Sequence, residues 1–293
     1  MFKIIVRACI AFICVGLFIY GCSTHNPKVR DALNTAMQKT GGAMAAPAQG
    51  PQLAQGAWTT LEPGLDAGLF RAPGAGAEIV VVRMDTARLD LDILAASEHN
   101  GAFHTAAQWA GGQNLVAAVN AGMYLDDTRG TSVGYMKRAG NVLSARDPAD
   151  YKAALAFGPR DPALPPVQII DMQCHDYAAL REQYDNVIQS IRMIDCNGNN
   201  VWQPSDKRHT QAAAATDRSG RMLFAYVDEP LSTYDFIQAL LALPLDIQSA
   251  MYLEGGPPTQ LFVSAGSNTL SRSGLFNNTD ALPLPNVIGA KRK

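Results

Sequence analysis

Apolar positions along this chain fall into short runs separated by turn residues, and few of them follow a helical period. The run Ile79-Val80-Val81-Val82 between Glu78 and Arg83 predicts a buried strand. Arg88-Leu89-Asp90-Leu91-Asp92-Ile93 alternates apolar and acidic side chains, the period of a half-buried strand, and the two runs together predict a hairpin turning at 84–87. Further strands are predicted at 115–119, 141–143, 153–157, 167–171, 187–194, 210–216, 222–227, 250–253 and 261–263. Helices are predicted at 105–110, at 176–184 and after Ser232. There Ser232-x-x-Asp235 has capping-box form, Phe236, Ile237, Leu240 and Leu241 supply an apolar face, and Pro244 ends the helix. Strands outnumber helices without alternating with them. The expectation is an α+β fold: a single domain on a mixed, largely antiparallel β-sheet with flanking helices.

The remaining patterning divides the chain. Lys3 and Arg7 precede an apolar run over 8–20, too short to span a bilayer comfortably, which is the form of an export signal. Ile19-Tyr20-Gly21-Cys22 resembles the bacterial lipoprotein box. That resemblance implies a lipoprotein signal over 1–21, lipidation of Cys22 and a membrane anchor; Ser23 resembles sorting to the periplasmic face of the outer membrane. Residues 22–56, rich in Ala, Gly, Gln and Pro, read as a flexible tether. The folded domain is placed at 57–282, and 283–293, with Pro283, Pro285 and Lys291-Arg292-Lys293, as a loose tail.

Composition adds limits. Of the 293 residues 47% are hydrophobic and 17% charged, enough to build a core. With 24 Lys+Arg against 26 Asp+Glu the net charge is -2, and no basic stripe appears, which argues against nucleic acid as a partner. In an exported chain Cys174 and Cys196 are an even pair. A disulfide between them would be worth about 3 kcal/mol on chain entropy, and two separate buried thiols are the alternative. No CxxC or HxxxH spacing marks a metal site, and no cofactor motif is read.

Three stretches suggest chemistry. Val119-Asn120-Ala121-Gly122 ends a strand on an amide side chain followed by a permissive backbone, equally the composition of a simple turn. Arg192 lies inside an apolar strand and needs an anionic partner, either an internal carboxylate or a bound phosphate. Arg208-His209-Thr210 gathers a cation, a proton carrier and a hydroxyl before the next strand. The third stretch, Leu253-Glu254-Gly255-Gly256-Pro257-Pro258-Thr259, sets a carboxylate where a buried strand opens into a bendable, then stiffened, turn. Partial burial there would raise its pKa toward that of a general acid, unless a buried Arg pairs with it.

The ordered set Asn120-Ala121-Gly122-Met123-Tyr124, Gly134-Tyr135, Arg208-His209-Thr210, Ala215-Thr216-Asp217 with Gly220, and Leu253-Glu254-Gly255-Gly256 resembles the phosphodiester glycosidase family. The resemblance runs over about 79–263. It departs in three places: Glu254 stands for the usual Asp, Pro257-Pro258-Thr259 follows the glycine pair, and His209 separates an Arg and Thr that normally adjoin. The resemblance implies hydrolysis of a sugar-1-phosphodiester, freeing the sugar and leaving a phosphomonoester. Glu254 would be the working carboxylate, Asp228 a second one with Asp195 behind it, and His209 a proton carrier. Arg192 and Arg208 would hold the phosphate, and Thr210 would also bind substrate. Asn120 and Thr259 would bind the sugar, with the Gly122, Gly255 and Gly256 backbones close by. The partner would be a sugar phosphate or envelope glycan. A lipoprotein of the same ancestry that binds an anionic glycan without cleaving it is the alternative.

Overall fold

The computed structural model describes residues 51–74, 76–274 and 281–293. The signal, Cys22 and the tether up to residue 50 lie outside the described residues.

The described chain forms three antiparallel sheets. The first runs β1 (Trp58–Glu62), β2 (Leu65–Arg71), β3 (Glu78–Met84), β13 (Met222–Leu231), β12 (His209–Asp217), β14 (Ile247–Gly255) and β11 (Arg192–Ile194). The second runs β7 (Asn141–Ser144), β6 (Met136–Arg138), β10 (Tyr184–Ser190), β8 (Ala153–Pro159) and β9 (Val167–Asp171). The third runs β16 (Asn268–Ser273), β15 (Gln260–Ala265), β5 (Ala117–Asn120), β17 (Asn286–Arg292) and β4 (Leu89–Ala95). Every pair of neighbouring strands in them is antiparallel.

One core joins the inner faces of all three sheets, through residues such as Val80, Val82, Val119, Leu155, Ile188, Phe224 and Leu253. Each outer face is covered by a helix. α3 (Thr233–Ala242) lays Phe236, Ile237 and Leu240 on the first sheet. α1 (Ala106–Gln113) buries Trp109 against the third, and α2 (Tyr177–Gln183) sets Tyr177 and Leu180 on the second. This layering explains the alanine run of β12. Ala212 and Ala214 face the shared core while Ala213 and Ala215 face α3's side, so both faces are buried and only small side chains fit between crowded neighbours.

Local chemistry sets the helix starts. Ser232 Oγ accepts from the Asp235 amide at 3.1 Å. Thr105 and Gln108 form a reciprocal capping box at α1, and the Asp176 carboxylate accepts from the Ala179 amide at α2.

Five expectations are corrected. Residues 283–293 are not loose: β17 inserts between β5 and β4 with Val287, Ile288 and Ala290 fully buried. The tether ends before residue 56, because Gln55 bridges Leu69 and the Gly56 amide donates to the Leu69 carbonyl at 2.7 Å. The runs at 78–83 and 88–93 do not pair as a hairpin. β3 lies between β2 and β13, whereas β4 crosses to the third sheet and pairs with β17. The acidic face of β4 is not simply solvated: Asp92 ties Arg138 of β6 and Lys291 of β17 to one carboxylate. The run at 187–194 also splits, β10 staying in the second sheet and β11 joining the first across Ile191.

Candidate active site

The end of β14 carries the acid. Opposite β12, Glu254 pairs with Ala212 and Tyr252 with Ala213, so Leu253 has no partner and the strand bulges there. A bulge breaks side-chain alternation and re-aims the residue beside it. Glu254 is half-buried, and its Oε1 accepts from the Gly255 amide at 3.0 Å. No Arg or Lys among the described residues forms an ion pair with it. Burial therefore acts on an uncompensated carboxylate and pushes its pKa up to about 7.

Three tyrosines share its field. Tyr124, Tyr151 and Tyr252 are all raised above the ordinary phenol range, first by burial and then by the Glu254 charge. They come from different elements: the loop after β5, the approach to β8, and β14 itself. Gln189 holds Tyr151 in place by donating to its carbonyl at 3.0 Å, and the Tyr151 phenol reaches Met123 Sδ at 3.7 Å. Ser190 Oγ donates to the Tyr252 carbonyl, and the Tyr252 amide donates to Ile191 O at 2.8 Å. Tyr252 Oη lies 3.2 Å from His209 Nε2, and burial lowers the His209 pKa. A Cβ on Gly255 would run into both of those rings. Glycine is thus required there by close approach.

Several of the residues expected to bind substrate also hold the turn and its neighbours together. Thr210 Oγ1 donates to the Gly256 carbonyl at 3.1 Å, and the Gly256 amide donates back to Thr210 O at 2.8 Å. Asn120 Oδ1 accepts from the Gln260 amide at 3.0 Å. Gln260 in turn accepts from the Ala106 amide at 2.9 Å. Thr259 is completely buried, its amide bonded to Gly256 O and its carbonyl to the Gly274 amide. Asn120 Nδ2 and Thr259 Oγ1 are buried without a protein partner. Gly122 adopts φ +92°, and a Cβ there would lie 3.6 Å from Leu253 O, so the loop after β5 passes close to the end of β14. Gly256 turns at φ +73°, a left-handed conformation that favours glycine.

The other predicted residues lie apart. Arg192 donates to Asp171 at 2.6 Å and to Gln173 at 2.8 Å, the internal salt bridge that was the alternative for it. Arg208 faces Asp235 of α3 at 3.5 Å. Asp228 accepts from Tyr226 at 2.6 Å and pairs with Arg272 at 3.4 Å, and no described contact joins it to Glu254. Asp195 accepts from the amides and side chain of its own 195–199 turn, which lowers its pKa. His99 and His104 stack edge-on against Trp109 on the helical side of the third sheet. Cys174 and Cys196 are joined as a disulfide, and the Cys196 amide donates to the same Asp171 that holds Arg192.

Sequence reasoning gave no individual role to Met123, Tyr124, Tyr151 or Tyr252. Tyr252 stood two residues before Glu254, but aromatic residues inside apolar runs read as core, and the bulge at Leu253 leaves no mark in the sequence.

The site as built can hold a proton on a buried carboxyl at near-neutral pH and accept one at a neutral imidazole linked through a phenol. The family model for phosphodiester glycosidase matches residues 113–291, more than half of the chain. No curated protein matches. Among solved structures, the chain is similar to the catalytic domain of zebrafish N-acetylglucosamine-1-phosphodiester α-N-acetylglucosaminidase auto-inhibited by its pro-peptide. The TM-score is 0.60 at 13% identity, covering 83% of this chain and 87% of that one. A hypothetical protein from Synechocystis gives a TM-score of 0.61 at 16% identity, covering 85% of this chain and 65% of that one. A candidate exported protein from Burkholderia pseudomallei gives 0.51 at 9%, covering 73% and 74%. At these identities the solved structures share the fold, and the family rests on the sequence match. The chain belongs to the phosphodiester glycosidase family.

Proposed function

We propose that this protein hydrolyses sugar-1-phosphodiesters at the anomeric C–O bond, with Glu254 as general acid and His209 as base acting through Tyr252. The observation that carries the reading is a half-buried carboxyl without a cation, on the same strand as a phenol, Tyr252, that meets the half-buried imidazole of His209. Burial pushes Glu254 up and His209 down, and groups driven apart in this way divide into acid and base. In the reaction, water attacks the anomeric carbon and passes its proton to the Tyr252 phenol oxygen. The phenol proton moves to His209 Nε2. The bond from carbon to the bridging oxygen breaks with its electron pair on oxygen, and that oxygen takes the Glu254 proton. The products are the free sugar and a phosphomonoester, and solvent returns a proton from His209 to Glu254. The family and the acetylglucosaminidase named above make N-acetylglucosamine the first sugar to try.

The export signal, Cys22 and the disulfide support a lipid-anchored enzyme on the periplasmic face of the outer membrane, acting on envelope glycans. The test uses the fragment from residue 51 in oxygen-18 water with a panel of sugar-1-phosphodiesters. Label in the sugar is the expected result. Label in the phosphate would place the attack at phosphorus and overturn the mechanism. Binding without product across the panel would favour a non-catalytic envelope lipoprotein.

A further inference from the structure

At the opposite end of β14 from Glu254, Gln248 and Ser249 line a groove of about 420 Å³. Cys196 forms part of its wall, with His175 and Arg218. The disulfide therefore opens onto a cavity instead of lying sealed in a core. Cys174 is exposed and Cys196 half-buried, so solvent reaches the bridge. Access of this kind separates labile disulfides from inert ones.

The bridge links the edge strands of two sheets. Cys174 follows β9, the last strand of the second sheet, and Cys196 follows β11, at the end of the first. Asp171 makes the same link without sulfur. Its carboxylate accepts from the Arg192 guanidinium at 2.6 Å and from the Cys196 amide at 3.0 Å. The seam thus has a second fastening, and opening the disulfide does not by itself part the sheets.

The polar groups of the groove suit an anion. The Asp171 amide donates to His175 Nδ1 at 3.1 Å, so Nδ1 is an acceptor and the ring proton of the neutral imidazole sits on Nε2. No described residue accepts a hydrogen bond from that Nε2. Arg218 reaches over the 195–198 turn, its Nη2 3.7 Å from where a Cβ on Gly198 would stand. Asp246 pairs with it at 3.2 Å, but the two side chains are 63% and 66% exposed, and such a pair competes weakly with water. One edge of the guanidinium is thus available to a carboxylate. The anions near the bridge are already engaged. Asp171, within 4.8 Å of both sulfurs, is held by the Gln173 and Cys196 amides and by Arg192. Asp195 is taken up by its own turn.

The geometry points to Cys196 as a site of reversible S-thiolation by a small acidic peptide thiol, of the size and charge of glutathione. The peptide thiolate enters the groove and attacks Cys196 Sγ. A new sulfur–sulfur bond forms there, and the Cys174–Cys196 bond breaks with its electron pair on Cys174 Sγ, which takes a proton from water. The peptide thiol is oxidised into the mixed disulfide and Cys174 is reduced to a thiol. The peptide's carboxylates lie against Arg218 and the Nε2–H of His175. In the reverse step the Cys174 thiolate attacks Cys196, expels the peptide and restores the bridge. This chemistry does not depend on the hydrolase reading or on the Glu254 site.

The test treats the purified, oxidised protein with reduced glutathione or with cysteamine, a thiol that has no carboxylate. Acid quenching and peptide mapping by mass spectrometry locate the adduct. Rates are compared at equal thiolate concentration for wild type, Arg218→Gln and Arg218→Glu, changes at an exposed side chain that leave the core untouched. The expected adduct is on Cys196, with Cys174 a free thiol. Glutathione should react about tenfold faster than cysteamine, and the advantage should vanish in Arg218→Gln and invert in Arg218→Glu. An adduct on Cys174, equal rates for the two thiols, or a glutathione rate indifferent to Arg218→Glu would overturn the site. A bridge that resists both thiols would overturn it as well.

Discussion

The phenol oxygen of Tyr252 on β14 and Nε2 of His209 on the neighbouring β12 stand 3.2 Å apart, and both side chains pack against Gly255. Burial moves the groups around this contact toward neutrality. Tyr252 rises well above its usual range, His209 falls, and Glu254 climbs to about 7. A site without fixed charge exposes each developing charge of a reaction to little screening, so modest proton shifts there carry large energies.

The first consequence is a bell-shaped dependence of kcat/KM on pH. Glu254 must hold its proton, which sets a falling limb near pH 7. His209 must lack one, which sets a rising limb below the ordinary histidine value of 6.5. Initial-rate measurements should find Glu254→Gln slower by about 10²–10⁴-fold with the falling limb gone. His209→Asn should lose the rising limb.

Stability should respond to the same carboxyl. Its folded pKa lies above the unfolded value of 4.5, so the folded state keeps the proton longer. Stability from this group is complete below about pH 4.5 and is lost as pH rises through about 7. Glu254→Gln removes the loss. In urea denaturation the variant should match wild type at pH 4 and exceed it at pH 8 by on the order of 3 kcal/mol.

Gly255→Ala tests the packing of His209 against Tyr252. The added methyl collides with His209 and Tyr252, yet Gly255 has no left-handed backbone to strain. The variant should fold, judged by its thermal melt, while kcat drops about a hundredfold from the displaced rings.

Where a side chain's surroundings are local, the sequence made them readable. The Ser232 cap of α3 and the acid at the end of β14 each follow from neighbours a few residues away. What stayed hidden depends on partners far along the chain. Nothing near Arg192 reveals that Asp171 has already claimed it, and Asn120 cannot announce that Gln260 will take its carbonyl oxygen. The apolar run at 187–194 contains no sign that it changes sheets at Ile191. Pro283, Pro285 and the basic residues of the final segment outweighed, by composition, an apolar core of Val287-Ile288-Gly289-Ala290 short enough to overlook.

That segment supplies another prediction. Deleting residues 286–293 removes β17 and leaves β5 and β4 without their shared neighbour. The truncated protein should accumulate as insoluble aggregate, since two bare strand edges invite intermolecular pairing. Soluble yield and the thermal melt of any soluble fraction check this, and an unchanged melt would show the segment to be dispensable.

The pairing of β17 with β4 also governs when this domain can come into being. The Lys291–Asp92 contact closes a span of 199 residues, and Arg292–Glu62 one of 230. Until that late segment arrives, β4 and β5 must wait with unsatisfied edges, and no local hairpin can stand in for the missing strand. Topologies of this kind close slowly, over milliseconds to seconds. The delay is written into strand order: the sheet beside the acid-bearing turn cannot set until β17 is present to join β4 to β5.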